Sequence, residues 1–147
     1  MYNMGIQSYR KTSVVTADPK RLVLMCYEGA IESLKIGKQK IIEKDYEAKS
    51  KAFIKAQDII NELLCSLNFE KGGAIARNLD SLYHYMLRVI LNADLKKDTN
   101  AIDDIIRMLE ELKSAWEEIF YKQSKHVAPE PKEFVENKRQ ASGYAGL

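Results

Sequence analysis

The chain has 147 residues, 46% of them apolar and 30% charged, with 23 Lys plus Arg against 21 Asp plus Glu. That length supports one domain with a real core, and the composition is that of a folded chain rather than a disordered one. The last 25 residues hold four bases and three acids, leaving 19 against 18 in the body; such near-neutrality offers no footprint for nucleic acid or an anionic membrane.

Residues 1–17 read as an N-terminal arm with isolated apolar side chains at Tyr2, Met4, Ile6 and Tyr9. No apolar h-region marks a secretory signal, and the longest apolar run, "LVLMCY", is far below the ~20 residues that span a bilayer. The first helix is announced by "TADPK". Asp18 can cap it, and Pro19 suits the first helical position because its missing N–H was unpaired anyway. The pattern runs to about Glu43. Its early part, "RLVLMCYEGA", is apolar on nearly every side, which asks what covers the face turned away from the core. Later its stripe narrows to Ala30, Leu34, Ile41 and Ile42.

The second helix opens near Asp45, with Ala52, Ala56, Ile59, Ile60, Leu63, Leu64 and Leu67 on one face. Gly72-Gly73 is a helix breaker. The third runs from about Ala74 to Ala93 through Ile75, Leu79, Leu82, Tyr83, Met86 and Ile90. The fourth starts at Asp98 or Thr99 and carries Ile102, Ile105, Ile106, Leu109, Leu112, Trp116, Ile119 and Phe120. Helices of about 20 residues joined by short connections must lie antiparallel, so residues 18–122 are expected to form an all-α, up-down-up-down four-helix bundle. Residues 123–147, with mixed charge and no period, read as a disordered tail.

Chemistry is sparse. There is no Glu-x-x-His pair for a di-iron bundle, no zinc spacing and no phosphate-binding glycine loop, so no metal or cofactor is expected and the chain does not read as an enzyme. His84 reads as a boundary histidine. Cys26 and Cys65 read as small core residues in a reducing cytoplasm rather than a disulfide.

What exceeds a bundle's needs is apolar surface. Ile54 lies about 150° from the centre of its helix's stripe, with Cys65 on the same ridge. Tyr85 and Val89 flank the third helix on one side, Leu87 and Leu91 on the other. On the first helix Leu24 and Ile31 stand opposite the side of Leu22, Cys26 and Ala30, and Gly29 suggests a close approach of a neighbouring helix. Exposed apolar ridges mark a partner site, and the partner suited to a long groove is an amphipathic helix. Self-association as a homodimer, in a helical adaptor, would cover the same surface.

The run "YNMGIQSYRKTSVVTADPKRLVLMCYEGAIESL", then "KAQDIINELLCSLNFEKGGAIARNLDSLYHYM", then Met108–Trp116 resembles the flagellar secretion chaperones of the FliS type, over residues 2 to about 120. It departs from them at Tyr83-His84-Tyr85, where Leu-Tyr-Asp-Tyr is common, and residues 123–147 fall outside it. The resemblance implies a cytoplasmic protein that binds the C-terminal segment of flagellin, wraps it round the bundle in helical pieces and keeps it from polymerising before export. It also implies that Ile6 and Tyr9, at the arm positions, lie over part of that groove and help docking at the export gate. For the groove itself the helical wheels select Ile54, Tyr85 and Val89.

Overall fold

Each of the four helices starts with the same device. In a computed structural model describing residues 18–122, the Asp18 carboxylate accepts from the Arg21 N–H at 2.7 Å. Asp45 accepts from Ala48 at 3.2 Å, Asn68 from Lys71 at 2.9 Å and Asp98 from Ala101 at 3.1 Å. Each satisfies an N–H that has no partner inside the first turn. The helices are α1 (Pro19–Ile42), α2 (Tyr46–Cys65), α3 (Phe69–Lys96) and α4 (Thr99–Glu117), and a π-helical turn follows at Glu118–Lys122. The described residues contain no strand.

The α3 boundary differs from the expected one. A helical turn capped by Asn68 already forms at Phe69, and Gly73, at φ 51° and ψ −126°, joins it to the long part of the helix through a kink. The glycine pair does interrupt the helix, but the chain re-enters helical geometry on both sides because glycine alone tolerates that backbone cheaply. At the other end α3 runs past Ala93 to Lys96 and closes on Lys97 in the left-handed conformation.

The helices pack as a closed ring, α1 on α2, α2 on α3, α3 on α4 and α4 back on α1, in antiparallel order; this is the expected four-helix bundle. The α1–α2 interface is the most extensive, and α3 meets its two neighbours less fully. The reason is legible on α1. Cys26, Ala30, Ser33 and Gly37 follow one another at intervals of four, three and four residues and are all buried, forming a ridge of small side chains that lets α2 come close. At its end the Phe53 ring lies against the Gly37 backbone. A Cβ added at Gly37 would stand 2.5 Å from Phe53 Cδ1 and 2.9 Å from its Cζ.

Several sequence readings are corrected here. Leu24 and Ile31 are core residues, 1% and 8% exposed, not surplus surface. A helix wedged between two neighbours, with a third across the diagonal, buries an arc wider than one stripe, so the all-round apolar start of α1 is covered largely by its own bundle. Ile42 is exposed rather than part of the stripe, because α1 ends there. Phe53, absent from the expected α2 face, is fully buried; it heads the spacing 53-56-60-63-67. Cys26 is buried as expected, but Cys65 is exposed, and both are thiols. Gly29 is only half-buried; the close approach found in the structure is at Gly37.

Replacing Gly37 by Ala should destabilise the fold by about 1–3 kcal/mol, since neither the ring nor the helix can yield freely. Urea unfolding of Gly37→Ala, Phe53→Leu and the double variant checks this: the double should lose less than the sum of the singles, because the smaller side chain relieves the clash.

Candidate partner-binding grooves

Beneath the surface, α1, α3 and α4 are tied by one hydrogen-bonded group. Trp116 Nε1–H donates to the Tyr27 hydroxyl at 3.0 Å, and the Tyr27 and Tyr83 hydroxyls meet at 2.5 Å, with either as donor. Both tyrosines are buried. Burial pushes both phenols above the ordinary 10.0, since a phenolate in that interior would lose its water. Trp116 also stacks on Phe120, ring centroids 5.3 Å apart, and so anchors the π-helical turn. Of the motifs' aromatic residues, Tyr27, Tyr83 and Trp116 thus belong to this internal group rather than to a site.

The outside of α3 is where apolar surface remains. Lys49 of α2 reaches Asp94 of α3, Nζ to Oδ1 at 2.6 Å and Nζ to the Asp94 carbonyl at 3.1 Å, which identifies the flank of α3 that faces α2. At about 100° per residue, Leu87 lies about 20° and Leu91 about 60° from Asp94 around the helix. Tyr85 lies about 180° and Val89 about 140° away, on the flank facing α4. The antiparallel register set by Lys49 and Asp94 brings Ile54 of α2 level with the Leu87–Leu91 turn. Ile54 lies about 140° round α2 from Lys49, on the outward face of α2 rather than against α3. The α2 flank of α3 carries Leu87 and Leu91, and Ile54 and Leu91 are 53% and 54% exposed. The α4 flank carries Leu82, Tyr85 and Val89, with Met108 on α4 opposite. Tyr85 is 45% exposed, while the other three are partly buried against the core.

The sequence-selected residues therefore do not form one patch. Ile54 stands on the outward face of α2, Tyr85 and Val89 on the α4 flank of α3, and Val89 is half core. Ile6 and Tyr9 lie outside the described residues. Leu91, which the wheels had placed on the other flank of α3, is as exposed as Ile54.

The outer face between α1 and α4 has a different character. Lys38 pairs with Asp103 at 2.8 Å, Lys35 with Glu110 at 3.7 Å and Lys113 with Glu28 at 3.7 Å. A depression on that side is lined mainly by Lys35, Lys38, Asp103, Arg107 and Glu110. Such pairs hold water well and bind helices poorly. His84 is exposed, 3.4 Å from Asp80. Among the described residues no group of three His, Cys, Asp or Glu side chains is arranged to hold a metal, and no helix is long and apolar enough to cross a membrane.

A bundle with a polar α1–α4 face and exposed apolar side chains on α2 and α3 invites comparison with known helical proteins. The family model described as flagellar protein FliS matches residues 1–123. The chain belongs to the FliS family. The flagellar secretion chaperone FliS of Vibrio cholerae is 41% identical over 119 residues, covering 78% of this chain and 88% of the relative. That of Salmonella typhimurium is 38% identical over 125 residues, 82% and 93% of the two chains. That of Bacillus subtilis is 32% identical over 126 residues, 83% and 93%. The FliS relatives are named as chaperones of flagellar secretion, not as enzymes. The residues that carried the resemblance in the sequence, Tyr27, Tyr83 and Trp116 among them, are those that join three of the four helices.

Because the folded state keeps Tyr27 and Tyr83 protonated above the ordinary phenol range, their contribution to stability is complete below pH 10.0 and is lost as pH rises beyond it. Alkaline titration followed by tyrosinate absorbance should show these two of the eight tyrosines ionising only as the helical circular dichroism collapses; Tyr27→Phe with Tyr83→Phe should remove that coupled step. Ile54→Asp and Tyr85→Asp should each leave the thermal midpoint nearly unchanged, whereas Val89→Asp should lower it clearly, since its side chain is half-buried against the core.

Proposed function

We propose that the chain is a cytoplasmic export chaperone for flagellin, holding flagellin's C-terminal segment on the apolar surface of α2 and α3 and handing it to the flagellar export gate. The observation that carries this reading is the set of exposed apolar side chains there, Ile54, Tyr85 and Leu91. A client that is unfolded alone and helical when bound can lay amphipathic pieces against such a surface. The FliS relatives act on flagellar secretion by name, and a flagellar subunit that must not polymerise early is the natural client for such a surface.

The energetics suit reversible capture. Burying about ten Leu-sized side chains yields a gross ~15–30 kcal/mol at ~1.5–3 kcal/mol each. Ordering the client and losing its translational freedom offsets much of that. The remainder corresponds to micromolar-to-nanomolar affinity.

Calorimetric titration with a flagellin C-terminal peptide should give binding with a negative heat-capacity change. Ile54→Asp and Tyr85→Asp should each weaken it by roughly 10–100-fold, the loss expected when a side chain of that size no longer finds an apolar partner. Their effects should add, because the residues stand on different helices and share no partner. No heat, together with a dimer in ultracentrifugation, would replace this reading with self-association.

A further inference from the structure

The arginines of the described residues fall into two pairs. Arg21 lies 3.9 Å from Glu28, and Arg107 pairs with Asp104. Arg77 and Arg88 are exposed on α3, and among the described residues neither has a carboxylate within ion-pairing distance. At about 100° per residue Arg77, His84, Arg88 and Leu95 fall within about 40° of one another, on the side of α3 opposite the buried Met86. Leu91 stands beside this stripe, and Leu91 and Leu95 are the most exposed large apolar side chains of α3, Leu95 at 75%. Between Ala74 and Lys96 the helix has two acids, and both already have partners. Asp80 lies 3.4 Å from His84, and Lys49 holds Asp94 at 2.6 Å. The stripe is therefore basic and apolar with no free carboxylate of its own. The α1–α4 side differs, since Lys35, Lys38 and Lys113 each face an acid of the neighbouring helix.

We propose that this stripe selects its partner by charge, taking an amphipathic helix whose apolar side lies on Leu91 and Leu95 and whose carboxylates pair with Arg77 and Arg88. The two arginines are separated by close to three whole turns, about 16 Å along the axis, so two acids on one face of a nearly aligned helix reach both. A guanidinium offers a planar fork of donors that matches a carboxylate, and it is more weakly hydrated than an ammonium. It therefore suits a contact that is dry on one side and wet on the other. An uncharged or basic helix laid on the same stripe would strip water from two cations without pairing them, so the surface rejects what it does not neutralise. That the selected helix is flagellin's C-terminal segment rests on the function proposed above; the selection by charge does not.

The test titrates the full chain with a synthetic Leu- and Ala-rich helix bearing two Glu side chains about three turns apart, and with its twin in which both are Gln. At low salt the acidic helix should bind about three- to tenfold more tightly than the twin, the margin expected of two exposed ion pairs. High salt should shrink that margin. The Arg77→Gln/Arg88→Gln variant should erase it with the thermal midpoint unchanged. No binding of the acidic helix, equal affinity for the twins, or a margin that survives in the double variant would overturn the proposal. A dimer of the free chain that the double variant abolishes would put a second copy on the stripe and overturn it equally. In a second arm a flagellin C-terminal peptide should bind the double variant about three- to tenfold more weakly than the parent chain. Flagellin binding that ignores the substitutions would overturn charge selection of the client. A preference for the acidic helix beside a flagellin peptide that binds neither chain would defeat the client assignment and uphold the selectivity of the stripe.

Discussion

Two contacts of opposite kind on α1 set the shape of this bundle. The small residues Cys26, Ala30, Ser33 and Gly37 admit α2 closely. Across the diagonal, the Tyr27 and Tyr83 hydroxyls meet, so α1 and α3 are joined through two large side chains. On the outer side of α3, Tyr85 and Leu91 stay exposed.

The hydrogen bonds that join α1 and α3 are themselves demanding. Two buried hydroxyls and an indole N–H must satisfy one another, because a lone one would cost about 1–3 kcal/mol. Among the described residues no buried side-chain polar atom lacks a partner. Because three helices supply the members, the network fixes the relative rotation of α1, α3 and α4 as well as their spacing. Non-directional apolar packing alone would not select that rotation. Trp116 also carries the contact to the turn after α4 through its stack on Phe120.

The local chemistry of the helices was legible in advance. Capping side chains at Asp18, Asp45 and Asp98 mark starts by satisfying nearby N–H groups, a property of a few consecutive residues. The wheels of α2, α3 and α4 located most of the core for the same reason. They failed on Leu24 and Ile31, because a wheel assumes one neighbour direction and α1 has three. They omitted Phe53, whose burial depends on a glycine 16 residues earlier. Gly73 misled in the other direction: it breaks the helix, yet a capped turn at Asn68 restarts helical geometry before it.

That Ile54 and Tyr85 point away from their own helices' cores is a matter of angle along a single helix, and both are exposed. Where Tyr85 stands relative to the neighbouring helices could not be read from α3 alone. It depends on which flank of α3 meets α2, which only the Lys49–Asp94 contact across the interface reveals.

By itself, then, the sequence determined four capped amphipathic helices, their antiparallel order and their family likeness, because caps, periodicity and loop lengths act over a few residues. Only the tertiary structure decided that α1 and α3 join through Tyr27 and Tyr83, which flank of α3 meets α2, and which apolar residues stay exposed. Those outcomes come from side chains far apart in the chain meeting in one place, and no local pattern encodes which of them meet.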